Sequence, residues 1–253
     1  MKNTGLVSVS FRKLTIEEII KLCKENNLDM VEWGSDVHAP FDDFEKLNQI
    51  VKLQSEYNIS CCSYGTYFSL GVTPLSELSE YIKAAKILGT DILRIWGGNK
   101  NYEDMQDEER ENFISQAKRA AEIAKANNVI LCSEWHADTF TSCLDGGLRL
   151  VKEVNSPNFK TYWQPNRLRD FNTNLYEAKI IAPYTTHIHV FNRDENNCYP
   201  LSDNNGIYMW KEYLKAFSGE HKLLLEFMPK NTPEELKDEV KTLHKDILQE
   251  EIV

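Results

Sequence analysis

Residues 129–136 read Val-Ile-Leu-Cys-Ser-Glu-Trp-His, an apolar run that ends in a carboxylate and an imidazole two positions apart. In extended chain alternate residues share a face, so Cys132, Glu134 and His136 point the same way. Residues 186–190, Thr-His-Ile-His-Val, set His187 and His189 on one face and Ile188 and Val190 on the other. A third apolar run, 223–227, stops in Glu226. Taken singly, each of these groups is the kind of buried polar residue that a hydrogen bond satisfies. Two carboxylates and an imidazole in one water-poor mouth are different, because they repel and desolvate one another unless a cation neutralises them. Mixed oxygen and nitrogen donors without a thiolate suit Mn²⁺, Mg²⁺, Co²⁺ or Zn²⁺.

Such a mouth needs strands that end side by side. Short apolar runs fall at 6–11, 30–34, 59–64, 92–97, 129–135, 161–164, 186–191 and 223–227, and longer amphipathic stretches follow most of them. That alternation predicts βα units around a parallel sheet. Thr15 and Glu18 form a capping box at the start of the first helix, and Asp107, Glu108 and Glu109 suit the positive end of a helix over 107–127. Pro233 falls early in the last helix, where its missing N–H costs little. About eight units with no linker or composition shift predict one (β/α)₈ TIM barrel domain over 1–253. An open doubly wound sheet would carry a Gly-rich phosphate loop after its first strand, but Ser10-Phe11-Arg12-Lys13 stands there.

A net charge of −10 with no basic stripe argues against a nucleic-acid partner. The N-terminal residues lack an apolar signal core, and no run approaches the roughly 18 apolar residues of a membrane span, so a cytoplasmic protein without membrane association is expected. The six cysteines (Cys23, Cys61, Cys62, Cys132, Cys143 and Cys198) form no CxxC pair and read as reduced, buried thiols.

Further candidates for the mouth come from the other strand ends. Glu32, Trp33 and His38 lie at or just after the second strand, Tyr64 ends the third, Arg94 and Trp96 share the lumen face of the fourth, and Asn192 follows the seventh. With His136 and His187, all of these but Asn192, which is a rim candidate only, form the expected substrate-contact set, although Trp33 and Trp96 read equally as core aromatics. A guanidinium at position 94 needs an anionic partner such as Glu134 or Glu32. The long loop 193–208 is where selectivity over substrates is expected.

Through Leu131-Cys132-Ser133-Glu134-Trp135-His136, His187-Ile188-His189-Val190 and Leu224-Leu225-Glu226-Phe227, the chain resembles the xylose isomerase-like superfamily of sugar isomerases and epimerases over nearly its whole length. Members of the ketose-epimerase type use a Glu, Asp, His, Glu metal set in which both glutamates also move protons. The resemblance therefore implies Glu134, His189 and Glu226 as ligands, with His187 left as a support or substrate contact. Gln164 occupies the Asp position. Its amide oxygen can ligate but is neutral, which lowers the negative charge around the ion.

The resemblance implies an isomerase or epimerase acting on a small ketose or aldose through an enediolate, with one of Glu134 and Glu226 as base and the other as acid. Dehydration of a polyol ketone would use the same ligands. A non-catalytic sugar-binding barrel stays open because of Gln164. A DNA-repair endonuclease of this fold would need more His and Asp ligands than a chain with six histidines offers. Only Arg193 and Lys230 are evident as cations in the last two loops, so an unphosphorylated sugar is the expected partner; self-association into a homo-oligomer is left open.

Overall fold

A computed structural model describes residues 3–203 and 205–250. Eight parallel strands close into a barrel: β1 (Thr4–Val7), β2 (Met30–Gly34), β3 (Ser60–Ser69), β4 (Ile92–Trp96), β5 (Ile130–Glu134), β6 (Phe159–Trp163), β7 (Thr185–Val190) and β10 (Lys222–Leu225). A two-residue-per-strand hairpin, β8 (Asn192–Arg193) and β9 (Cys198–Tyr199), rises from the loop after β7. Helices α1 (Ile16–Glu25), α2 (Phe44–Tyr57), α3 (Leu78–Leu88), α4 (Asp107–Ala126), α5 (Leu144–Val154), α6 (Phe171–Ile181), α7 (Gly206–Ala216) and α8 (Pro233–Lys241) complete the (β/α)₈ fold. The ring closes where Thr4, Gly5 and Leu6 pair with Leu223, Leu224 and Leu225.

The alternation of side chains divides two apolar layers. Val31, Trp33, Leu93, Ile95, Trp163, Ile188, Val190, Leu223 and Leu225 face the helices and join the main core. Val7, Met30, Cys132, Tyr162 and Leu224 fill the lumen floor. The Thr15–Glu18 capping box is present, and it fixes the start of α1 just after the first strand's turn.

The strand ends depart from the sequence expectation where side-chain hydroxyls take over backbone pairing. Residues 8–11, expected in the first strand, form a buried 3₁₀ turn instead. Ser8 Oγ accepts from Gly34 N at 2.9 Å, and Ser10 Oγ accepts from Phe227 N at 3.3 Å. β3 runs on to Ser69, with a break in register between Gly65 and Ser69. Gln164 and Glu226 stand just past the last paired residues of β6 and β10. All six cysteines are free thiols. Among the described residues no helix is long and apolar enough to cross a membrane.

Candidate metal centre and active site

Four adjacent strands, in the order β10-β7-β6-β5, deliver four donors to one point at their carboxyl ends. His189 Nδ1 lies 3.2 Å from Gln164 Oε1, 3.2 Å from Glu226 Oε2 and 3.5 Å from Glu134 Oε1. All four side chains are buried, and Glu226 Oε2 makes no hydrogen bond despite its neighbours. Donor atoms bonded to one small divalent ion at about 2.0–2.2 Å stand roughly 3 Å apart, so these separations fit a shared cation.

The other side of the lumen braces this set. Arg94 Nε donates to Glu32 Oε1 at 2.8 Å, and its Nη1 donates to Glu134 Oε2 at 2.5 Å. Ser63 Oγ donates to Glu32 Oε2 at 2.7 Å and accepts from the Tyr162 hydroxyl at 2.7 Å. His189 Nε2 faces Glu32 Oε2 at 3.5 Å, so the far nitrogen of the imidazole is held by a carboxylate while Nδ1 looks at the donors. Gly65 makes room for the ion pair: a Cβ there would stand 2.7 Å from Glu32 Oε1 and 2.8 Å from Arg94 Nη2.

Burial alone would raise the pKa of both braced carboxyls, but the Arg94 guanidinium outweighs it. Glu134 is held down to about 2, and Glu32 lies well below the usual carboxylate range. Burial would likewise lower His189, yet Glu226 and Glu32 raise it well above its ordinary value, so without a cation the imidazole carries a proton. Three buried carboxylates (Glu32, Glu134 and Glu226) against one guanidinium leave two negative charges, which a divalent ion balances when His189 is neutral. The neutral amide of Gln164 keeps that balance at two.

The mouth above the centre has two walls. On one, Trp96 stands between Tyr67, with ring centroids 6.2 Å apart, and His136, at 4.8 Å. The Trp96 Nε1 hydrogen is buried without an acceptor. His136 Nδ1 lies 2.6 Å from the Ala137 carbonyl oxygen; a carbonyl can only accept, so Nδ1 carries a hydrogen, and in the neutral ring the lone pair lies on Nε2. On the other wall a narrow cleft is lined by His136, Gln164, Arg167, Phe191, Arg193 and Phe227. Phe227 has a φ of +53°, a left-handed conformation that is costly for a bulky side chain, directly after Glu226.

Of the residues singled out in the sequence, the structure gathers Glu134, Gln164, His189 and Glu226 with Glu32 and Arg94, and sets Trp96 and His136 at the mouth. It does not bring the others there. Trp33 faces the helices and donates Nε1–H to Gln54 Oε1 at 2.9 Å. Tyr64 faces the same way and donates its hydroxyl to the Ala39 carbonyl at 2.6 Å. His38 is spent on Ser8 Oγ and the Leu14 carbonyl. His187 sits at the lumen floor beside the Cys62 carbonyl, and Asn192 donates to the carbonyls of Pro200 and Asp203, fastening its own loop. Adjacent strand residues point to opposite faces, so with Glu32 in the lumen Trp33 cannot be. Ser63, Tyr162, Tyr67 and Arg167 are contributors that sequence reasoning did not select. Parity would have found Ser63 and Tyr162; nothing in the sequence marks Tyr67 or Arg167.

Residues 20–245 match the xylose isomerase-like TIM barrel family, and the chain belongs to it. It is 22% identical to 3-dehydroshikimate dehydratase of Bacillus anthracis over 94% of this chain and 95% of that protein. Among solved structures it resembles a probable 3-DHS dehydratase, AsbF, involved in petrobactin synthesis in Bacillus anthracis (TM-score 0.80, 19% identity, covering 96% of this chain and 98% of that one). It also resembles a D-psicose 3-epimerase crystallised in the presence of D-fructose (TM-score 0.72, 14% identity, covering 98% and 99%).

Proposed function

We propose that this chain is a divalent-metal dehydratase of small polyhydroxylated ketones. The observation that carries the reading is the contrast between Glu134 and His136. Glu134 is held as an anion, one oxygen on Arg94 and the other turned to the metal donors, and its lowered pKa makes it a weak base. His136, two residues on, offers a free Nε2 lone pair at the mouth.

A divalent cation held by Glu134, Gln164, His189 and Glu226 would supply polarisation of the substrate carbonyl. His136 Nε2 takes a proton from the carbon beside that carbonyl. The electron pair left on carbon forms a double bond to the next carbon, whose C–O bond breaks. The imidazolium then returns its proton to the departing oxygen, so the ketone yields an unsaturated ketone and one water. Trp96 Nε1, a buried donor without an acceptor, is placed to orient a substrate hydroxyl. The similarity to 3-dehydroshikimate dehydratase along nearly the whole chain supports this reading over the isomerase expectation. Epimerisation is the second reading, favoured by the placement of Glu226 just after β10 and His136 just after β5, which sets two proton-accepting groups on different parts of the rim.

Mn²⁺-loaded protein should be incubated with linear and cyclic hydroxy-ketones in deuterated water and followed by mass and ultraviolet absorbance. Loss of water with a new conjugated chromophore is expected, slowed about 10²–10⁴-fold in His136→Ala with the metal retained. Deuterium incorporation without water loss would move the assignment to the epimerase reading. A metal-loaded protein that does neither across the panel would sink both.

A further inference from the structure

The cleft beside Gln164 and Phe227 carries two guanidiniums that no acidic group among the described residues pairs. Arg167 and Arg193 both line the cleft beside Gln164 and Phe227, and both are half-buried. Other arginines on strands or in the loops after them are paired: Arg12 with Asp36, Arg94 with Glu32 and Glu134, and Arg169 with Glu177. Among the described residues no carboxylate lies within ion-pair distance of Arg167 or Arg193, in a chain with ten excess negative charges. Each is nevertheless held in place. Arg167 Nη1 donates to the Glu195 carbonyl at 3.0 Å, tying it to the hairpin of β8 and β9. The Arg193 guanidinium lies 4.9 Å from the centre of the Phe227 ring, and Phe227 immediately follows Glu226.

Resting on the metal-centred reading above, we propose that this cleft is a subsite for an oxyanion of the substrate, a carboxylate or a phosphate, carried on the same molecule whose hydroxy-ketone end faces Glu226 and His136. Partly desolvated guanidiniums held without an anion keep their charge unpaid until one arrives, and their planar forks suit the oxygens of either group. The strained backbone at Phe227 gives the subsite a fixed relation to the reacting end, because one peptide joins the ring beneath Arg193 to a metal donor. A neutral ketose would reach the metal donors but leave the cleft without a partner.

The test is calorimetric titration of Mn²⁺-loaded protein with three probes: D-fructose, 5-keto-D-gluconate and D-fructose 6-phosphate. Binding of at least one anionic probe about tenfold to a hundredfold tighter than fructose is expected, and which one prevails identifies the anion. That advantage should shrink with added potassium chloride and collapse in both Arg167→Gln and Arg193→Gln. The ratio of acid to ketose affinity within one variant separates loss of the contact from a general collapse of the site. Equal affinity for all three probes, no binding by any, or an advantage that survives both substitutions overturns the subsite. If Mn²⁺ is retained through that result, only the subsite falls; if the protein does not retain Mn²⁺, the reading of the centre falls with it.

Discussion

Two histidines, two residues apart on one face of β7, meet opposite fates at the floor and the mouth of the lumen. The ring of Tyr162 stands between them, 5.2 Å from His187 and 5.1 Å from His189. At the floor, burial lowers the pKa of His187, and its Nε2 contacts the Cys62 carbonyl at 3.4 Å. At the mouth, His189 is just as buried but is surrounded by Glu226, Glu32 and Glu134, which reverse the sign of its shift. Burial depth therefore says little about what an imidazole in this barrel does. What decides is whether the surrounding charges close on themselves, as Glu32, Arg94 and Ser63 do, or are left open, as at Glu226.

The contrast breaks most sharply if His189→Ala is compared with His187→Ala. The first removes the donor that contacts every other ligand. Retention of metal, turnover and the chelator-sensitive part of the melting temperature should all disappear. The second should leave metal content unchanged by elemental analysis, and equal metal loss in both variants would dissolve the distinction between floor and mouth.

Arg94→Leu tests whether the charge account at the mouth is as stated. Without the guanidinium, Glu32 and Glu134 face one another uncompensated, which costs on the order of 3–5 kcal/mol for a broken buried pair. Added Mn²⁺ should recover part of that loss, seen as a larger metal-induced rise in melting temperature than in the wild type. A variant as stable as the wild type in chelator would contradict the account.

Glu239 supplies a buried carboxyl with no cation beside it. It accepts from Leu201 N, and burial, reinforced by Glu235, Asp238 and Asp203, raises it to about 7 from an ordinary 4.5. Between those values the folded chain holds a proton that the unfolded chain has released, so stability falls as pH rises through the interval and levels off above it. Glu239→Gln keeps the acceptor and should flatten this slope, raising stability by about 1–3 kcal/mol at pH 8 relative to wild type and far less at pH 5. Urea melts at the two pH values decide it.

The smallest effect is expected from His187→Gln. Because its folded pKa is lowered below 6.5, His187 contributes stability that is present above that pH and lost as pH falls. The variant should lose some of this acid sensitivity, a change of about 1 kcal/mol, with metal affinity unaltered.

Much of this architecture was legible beforehand because it depends on periodicity. Alternating apolar runs are enough to place eight strands, and side-chain parity within one strand is enough to aim Glu134, His189 and Glu226 at a common rim. What escaped depends on contacts between strands distant in sequence. The pairing of Arg94 with Glu32 and Glu134 follows from a buried guanidinium's need for an anion, but Tyr162 meets Ser63 across 99 positions and His189 meets Glu32 across 157. No local pattern records such pairs. Trp33 and Tyr64 were misplaced for a simpler reason, since each follows a lumen residue on its strand and must turn outward. His38 lies beyond its strand, where parity no longer applies.

The pairing of β1 with β10 also bears on the making of the protein. During synthesis β1 remains without its neighbour on that side until residues 222–225 emerge, and Glu226 follows directly behind them. A nascent chain halted before that point has neither a closed sheet nor a complete set of metal donors. On the proposed reading, a cation would meet its full set of donors only once residue 226 has been made, and a product truncated before the eighth barrel strand would keep an open strand edge that invites aggregation or degradation.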